Sequence, residues 1–182
     1  MDIFDRLGTN PTQVVGALSF AMTTLACLNA SRSSTSREAR VWKVLSFVNA
    51  FFLLEVIVKF RFLVLEFARA TLRQEGLYDE LHGRIQEIVV VTIATAALLL
   101  TILFLLWRPI PGGAARLATS MTVIIFTSFV MEMISLHELD AVLYQTLGPL
   151  LMIGWVWTGA AALIRFAAVG RCGKGSTFRL GA

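Results

Sequence analysis

The sequence predicts an all-α membrane protein, a single polytopic bundle of about five spanning helices. Three observations lead there. Hydrophobic residues make up 57% of the 182 residues and charged ones 15%, with a mean hydropathy of +0.74. A soluble domain lies near about 45–50% apolar and about 25% charged. Five separated runs each approach the roughly 20 apolar residues that cross a bilayer as a helix. The basic residues, finally, gather on alternate segments between those runs.

The first span is read as Pro11 to Asn29. The preceding MDIFDRLGTN carries two aspartates and one arginine, unlike the basic start of a cleavable signal peptide. The span is therefore expected to be retained. The second starts near Lys43 and runs to about Glu66, the third is Gln86 to Trp107, and the fourth is Leu117 to Leu136. The fifth, Leu147 to Val169, is opened by Gly148-Pro149, because proline is tolerated in a first helical turn. Residues 1–169 form the bundle. The tail 170–182 is glycine-rich and basic, and is expected to be flexible. Its GKGST lacks the upstream glycine spacing of a phosphate loop.

Charge sets the expected direction. With the N-terminus outside, segments 30–43 and 108–116 and the region from Arg165 onward face the cytoplasm. They hold ten of the sixteen basic residues and a single acid, Glu38. The inner side is then nine charges positive and the other side five negative, as the positive-inside rule requires. An isoelectric point near 9.6 is thus explained by topology, and no nucleic-acid partner is expected. On the outer side, ARATLRQE extends the second helix up to Gly76, a natural helix stop, and Asp79 can cap the third. A long helical hairpin standing about two to three turns above the bilayer is expected there.

The candidate site rests on charges inside the spans. Glu55 lies near mid-bilayer, where an ionisable group costs about 2.5–3.5 kcal/mol. Lys59 is four residues on, in the favourable order for an i,i+4 pair. Glu66, Arg69 and Arg73 continue that stripe, and Arg61 can snorkel to the outer headgroups. Glu132 lies in the outer third of the fourth span, on a face shared with Ser128 and Ser135. Having no cation within a helical turn, it needs a partner from another helix, Lys59 or Arg61, or a proton. His137, Asp140, Glu132 and His82 could together ligate a metal at the outer face, although HELD is not HExxH and the spacing is not diagnostic. Cys27 and Cys172 form no framework and are read as free thiols.

Small residues mark expected helix contacts: Gly16, Ser19, Thr23 and Cys27 on the first span, Gly154 and Thr158 on the fifth, and Ala94 to Ala97 with Thr101 on the third. Trp42 and Trp107 fit the cytoplasmic interface. With Gly76-Leu77-Tyr78 after the charged helix and Ser135-Leu136-His137 with Asp140 after the fourth span, residues 45–160 resemble small multi-pass inner-membrane proteins of bacteria. That resemblance implies a bacterial inner-membrane location and carries no activity. Three functions follow in order. The first is a non-enzymatic accessory or binding subunit that associates with itself or with a larger membrane complex. The second is a small transporter, channel or proton-handling protein using Glu55, Lys59 and Glu132. The third is a membrane-embedded enzyme, metal- or quinone-dependent.

Overall fold

The structure is a computed structural model and describes residues 10–60, 67, 70, 74, 92–93, 95–103, 110, 112–134 and 141–176. Four long helices dominate it: α1 (Pro11–Ser33), α2 (Ser36–Val58), α3 (Gly113–Ile134) and α4 (Met152–Ser176). All four are long and apolar enough to cross a membrane. Their 20–25 residues correspond to about 30–38 Å at 1.5 Å per residue, enough for the hydrocarbon layer. Residues 92–93 and 95–103 are helical as well, within the third expected span.

The distribution of polarity is that of a protein dissolved in lipid. Leu18, Leu25, Phe47, Phe51, Ile57, Phe126, Leu163 and Phe166 stand exposed on the four helices, Phe47 and Phe166 by three quarters of their surface. Ser19, Thr23, Ser46, Asn49, Ser120, Thr122 and Glu132 are buried instead. In water such a surface would be a very large apolar patch. In lipid it costs nothing, and several of the inward hydroxyls are satisfied within their own helix. Thr23, Thr122 and Thr158 each donate to the carbonyl four residues back, at 2.7, 2.9 and 2.7 Å.

α1 is the centre of the packing, lying against both α2 and α4, while α3 leans chiefly on α4. Its small-residue face makes this possible. A Cβ on Gly16 would come within 3.1 Å of the Trp157 ring, and one on Gly154 within 2.6 Å of Thr12 Cγ2. Across the middle, one aromatic from each helix forms a closed layer: Phe20, Phe52, Phe129 and Trp157. Their ring centroids are 4.9 to 6.1 Å apart, and Phe129 stacks on Trp157. Aromatic contacts of this kind add about 0.5–1.5 kcal/mol each beyond burial.

Several elements differ from the sequence reading. Segment 30–43 is not a loop: α1 runs to Ser33 and α2 starts at Ser36, leaving Ser34 and Thr35 as the connection. Arginine, glutamate and alanine are good helix formers, and outside the hydrocarbon their charge does not stop a helix. Trp42 lies in the core with no exposure, so it is not an interfacial anchor. The second helix does not run unbroken through Lys59, which adopts the left-handed conformation (φ 59°) and closes α2, its N–H donating to Glu55 O at 2.7 Å. Phe60 is helical again.

Gly148-Pro149 does not open the last helix. It forms the turn of a small antiparallel hairpin, β1 (Thr146–Leu147) and β2 (Leu150–Leu151), and α4 begins at Met152 and continues to Ser176. Gly148 has φ +66°, which glycine tolerates, and proline holds the next φ negative. That is the sign order of a type II′ turn, the geometry matched to a two-residue hairpin. The protruding hairpin read around Gly76 and Asp79 lies outside the described residues.

Candidate functional site

At one end of the bundle five segments converge on a cavity of about 160 Å³. Asn10, Thr12 and Gln13 come from the start of α1, Val56 and Lys59 from the end of α2, and Glu132 from α3. Tyr144 and Leu151 come from the α3–α4 connection, and Ile153 and Trp157 from α4.

Local structure explains how each wall is held. Asn10 caps α1, its side chain accepting from Thr12 N at 2.9 Å. Thr12 Oγ1 accepts from Leu151 N at 2.9 Å, which fastens the Gly148-Pro149 hairpin to the first turn of α1. Trp155 Nε1 donates to Leu147 O at 2.8 Å and braces the hairpin from α4. Where α2 breaks at Lys59, its last carbonyls lose regular helical donors. Gln13 Nε2 reaches across from α1 and donates to Val56 O at 2.9 Å. This bond fixes the amide, and Gln13 Oε1 is left buried without a hydrogen-bond partner among the described residues.

Glu132 is 3% exposed, and its Oε1 accepts from the Tyr144 hydroxyl at 3.0 Å. Tyr144 thus meets a buried acid of α3 from outside that helix. Beneath them, Trp157 Nε1 donates to Ser128 Oγ at 2.9 Å, which orients the indole as the cavity floor. The aromatic layer lies directly below, since Trp157 belongs to both.

The expected residues are distributed as follows. Glu132 and Lys59 line the one cavity. Glu55 is buried one position before Val56 but is not part of that wall. The expected Glu55–Lys59 ion pair is not formed among the described residues: the left-handed turn carries the Lys59 side chain off the helical stripe, and it stands exposed. Among the described residues an ion pair joins Arg171 Nη2 to Glu38 Oε2 at 2.6 Å, with Glu38 buried. Gly112 (φ +84°) packs over Glu38, where a Cβ would meet its Oε1 at 3.0 Å. Arg61, Glu66, Ser135, His82, His137 and Asp140 lie outside the described residues. Among the described residues no three histidine, cysteine or acidic side chains are grouped to hold a metal. Of the packing residues, Thr23 Oγ1 approaches Ala161 O at 3.4 Å across α1 and α4, and Gly16, Ser19 and Gly154 lie at buried contacts.

Sequence reasoning passed over Gln13, Tyr144 and Glu38. Gln13 is a polar residue in the first turn of an apolar span, and Tyr144 follows the fourth span by about two helical turns. Both were visible signals without a partner in the sequence. Compared with protein families, with curated proteins and with solved structures, the chain gives no match. The reading of the site therefore rests on its geometry.

Proposed function

We propose that this multi-pass membrane protein is a non-enzymatic binding or accessory subunit that holds a small polar ligand in the cavity at the outer end of its bundle. The observation that carries the reading is the convergence of Glu132, Tyr144, Gln13 and Lys59 on one cavity walled by all four long helices. A buried acid within a span is a functional candidate by default. Here it lines the same cavity as the Gln13 amide and Lys59.

The same proposal includes a fifth span at 86–107, supported by the apolar and exposed helical residues Leu98, Leu99, Ile102 and Leu103. It includes an N-out, C-in orientation, supported by the charge split. It also includes the bacterial inner membrane as location and association with itself or a larger complex. A transport or proton-handling role for Glu55, Lys59 and Glu132 has less support. The cavity has Trp157 of the aromatic layer in its wall, and between Lys43 and Phe52 α2 carries only Ser46 and Asn49 as polar residues. The former donates to Thr24 O and the latter to Leu45 O. A metal- or quinone-dependent enzyme has no described constellation behind it.

The test is a thermal-shift screen of small polar compounds on the full chain in mild detergent, with native mass spectrometry of the same sample. Saturating a site at about 100 times its dissociation constant stabilises by about 2.7 kcal/mol. A compound should protect the wild type and fail to protect Glu132→Gln and Gln13→Leu, and the chain should appear as an oligomer or with a companion. Equal protection of all three proteins would refute the site, and a lone monomer would refute the subunit reading.

A further inference from the structure

A second cleft lies on another part of the molecule. α2 and α3 touch along little of their length. Between them runs a cleft of about 550 Å³, walled by Val41, Val44, Leu45, Ile110 and Thr119 and bordered by Arg37 and Arg40. Its size falls within the about 300–1,000 Å³ range of small-molecule sites. We infer that this cleft binds an anionic phospholipid, Arg37 and Arg40 taking the headgroup phosphate and the wall taking an acyl chain.

The wall offers a ligand almost nothing polar. Four of its five residues are aliphatic, and the Thr119 hydroxyl is spent on Ala115 O at 2.8 Å. Arg37 and Arg40 are i,i+3 neighbours on the first turns of α2, both exposed. No hydrogen bond or ion pair among the described residues engages either guanidinium. The adjacent acid, Glu38, is turned away, buried and held by Arg171. The positive charge is therefore uncompensated, and a guanidinium suits phosphate by its planar fork of donors.

The order along the helix completes the argument. Two charges at positions 37 and 40 give way within about a turn and a half to Val41, Val44 and Leu45. The matching ligand is anionic at one end and aliphatic beyond it. A free phosphate would have no use for the wall. Basic pockets between spanning helices are a recognised way of holding anionic lipid headgroups.

The experiment reconstitutes the full chain in mixed phosphatidylcholine–phosphatidylglycerol bilayers and counts the lipids retained by native mass spectrometry. The wild type should retain phosphatidylglycerol over phosphatidylcholine. Each arginine near the surface contributes about fivefold, so R37Q/R40Q should reduce that preference on the order of 25-fold. R32Q/R165Q removes the same charge from basic residues that do not line the cleft, and should keep the preference. Val44→Trp, which fills the cleft and leaves both arginines, should lower total lipid retained. Three results would each overturn the inference: preference unchanged in R37Q/R40Q, equal loss in R32Q/R165Q, or displacement of the lipid by inorganic phosphate. Unchanged melting temperatures across the variants separate loss of binding from loss of fold.

Discussion

Among the described glycines, Gly154 is the one at which an added Cβ would meet its neighbour most closely. Its Cα faces Thr12, and an added methyl would overlap Thr12 Cγ2 at 2.6 Å. Overpacking of this kind costs about 1–3 kcal/mol. Gly154→Ala is expected to lower the melting temperature, and Thr12→Ser in the same chain should restore most of the loss. Serine removes the offending methyl and keeps the hydroxyl that accepts from Leu151 N. Gly159→Ala is the control, because nothing stands within 4 Å of its Cβ direction. The small residues on α1 and α4 were legible in the sequence as a spacing pattern. Which partner each would meet was not, since that depends on how the two helices rotate against each other. Glu38 was harder still. It reads as an ordinary charge in a basic segment, and only the fold brings it beneath Gly112 and against Arg171. A Glu38→Gln, Arg171→Gln double-mutant cycle should give a coupling of about 1.5–3 kcal/mol, as for hydrogen bonds to charged groups.

At the scale of the element, hydropathy located the four long helices well and their ends poorly. Apolar runs report where hydrocarbon begins and stops. Helices, however, continue through headgroups and water wherever propensity allows, as α1, α2 and α4 do. The break at Lys59 carried no sequence signal, neither glycine nor proline. Beside it Gln13, forty-three residues before Val56, donates to the Val56 carbonyl. A lysine in the left-handed region costs about 1 kcal/mol relative to glycine. Lys59→Gly should therefore stabilise the chain by about that amount in reversible unfolding from mixed micelles. Gln13→Leu should destabilise it by about 1 kcal/mol, the net value of the lost hydrogen bond. If Lys59→Gly were destabilising instead, its side chain would hold the cavity wall together more firmly than the backbone strain opposes it. The Gly148-Pro149 hairpin shows the converse error. The dipeptide was correctly noticed and wrongly assigned, because proline serves a helix start and a tight turn equally well.

For the whole molecule, large apolar side chains on the outside of four helices long and apolar enough to cross a membrane fit lipid as the solvent, and composition alone had pointed the same way. Orientation is the property that charge counting proposes. In a chain with Cys27 and Cys172 replaced, Asn10→Cys should be labelled by an impermeant maleimide applied to intact cells, and Ser34→Cys only after permeabilisation. The reverse pattern would invert every statement about inner and outer sides, while leaving the cavity and the cleft where they are. About half of the candidate site could be read beforehand. Glu132 and Lys59 announce themselves as charges in apolar runs, whereas Gln13 and Tyr144 acquire meaning only through distance.

The packing of α1 against α4 also has a meaning in time. These are the first and last of the four long helices described, separated by about 120 residues, and at ribosomal rates of about 5–20 residues per second their synthesis is on the order of ten seconds apart. During that interval the groove around Gly16, which ends as the seat of Trp157, has Val56 of α2 near it but not yet the indole that fills it. The nascent protein therefore passes through a stage with its central helix half clothed, open to insertion factors, to lipid or to a companion subunit. The cavity and its aromatic floor both need Trp157, so neither is complete until α4 has been made.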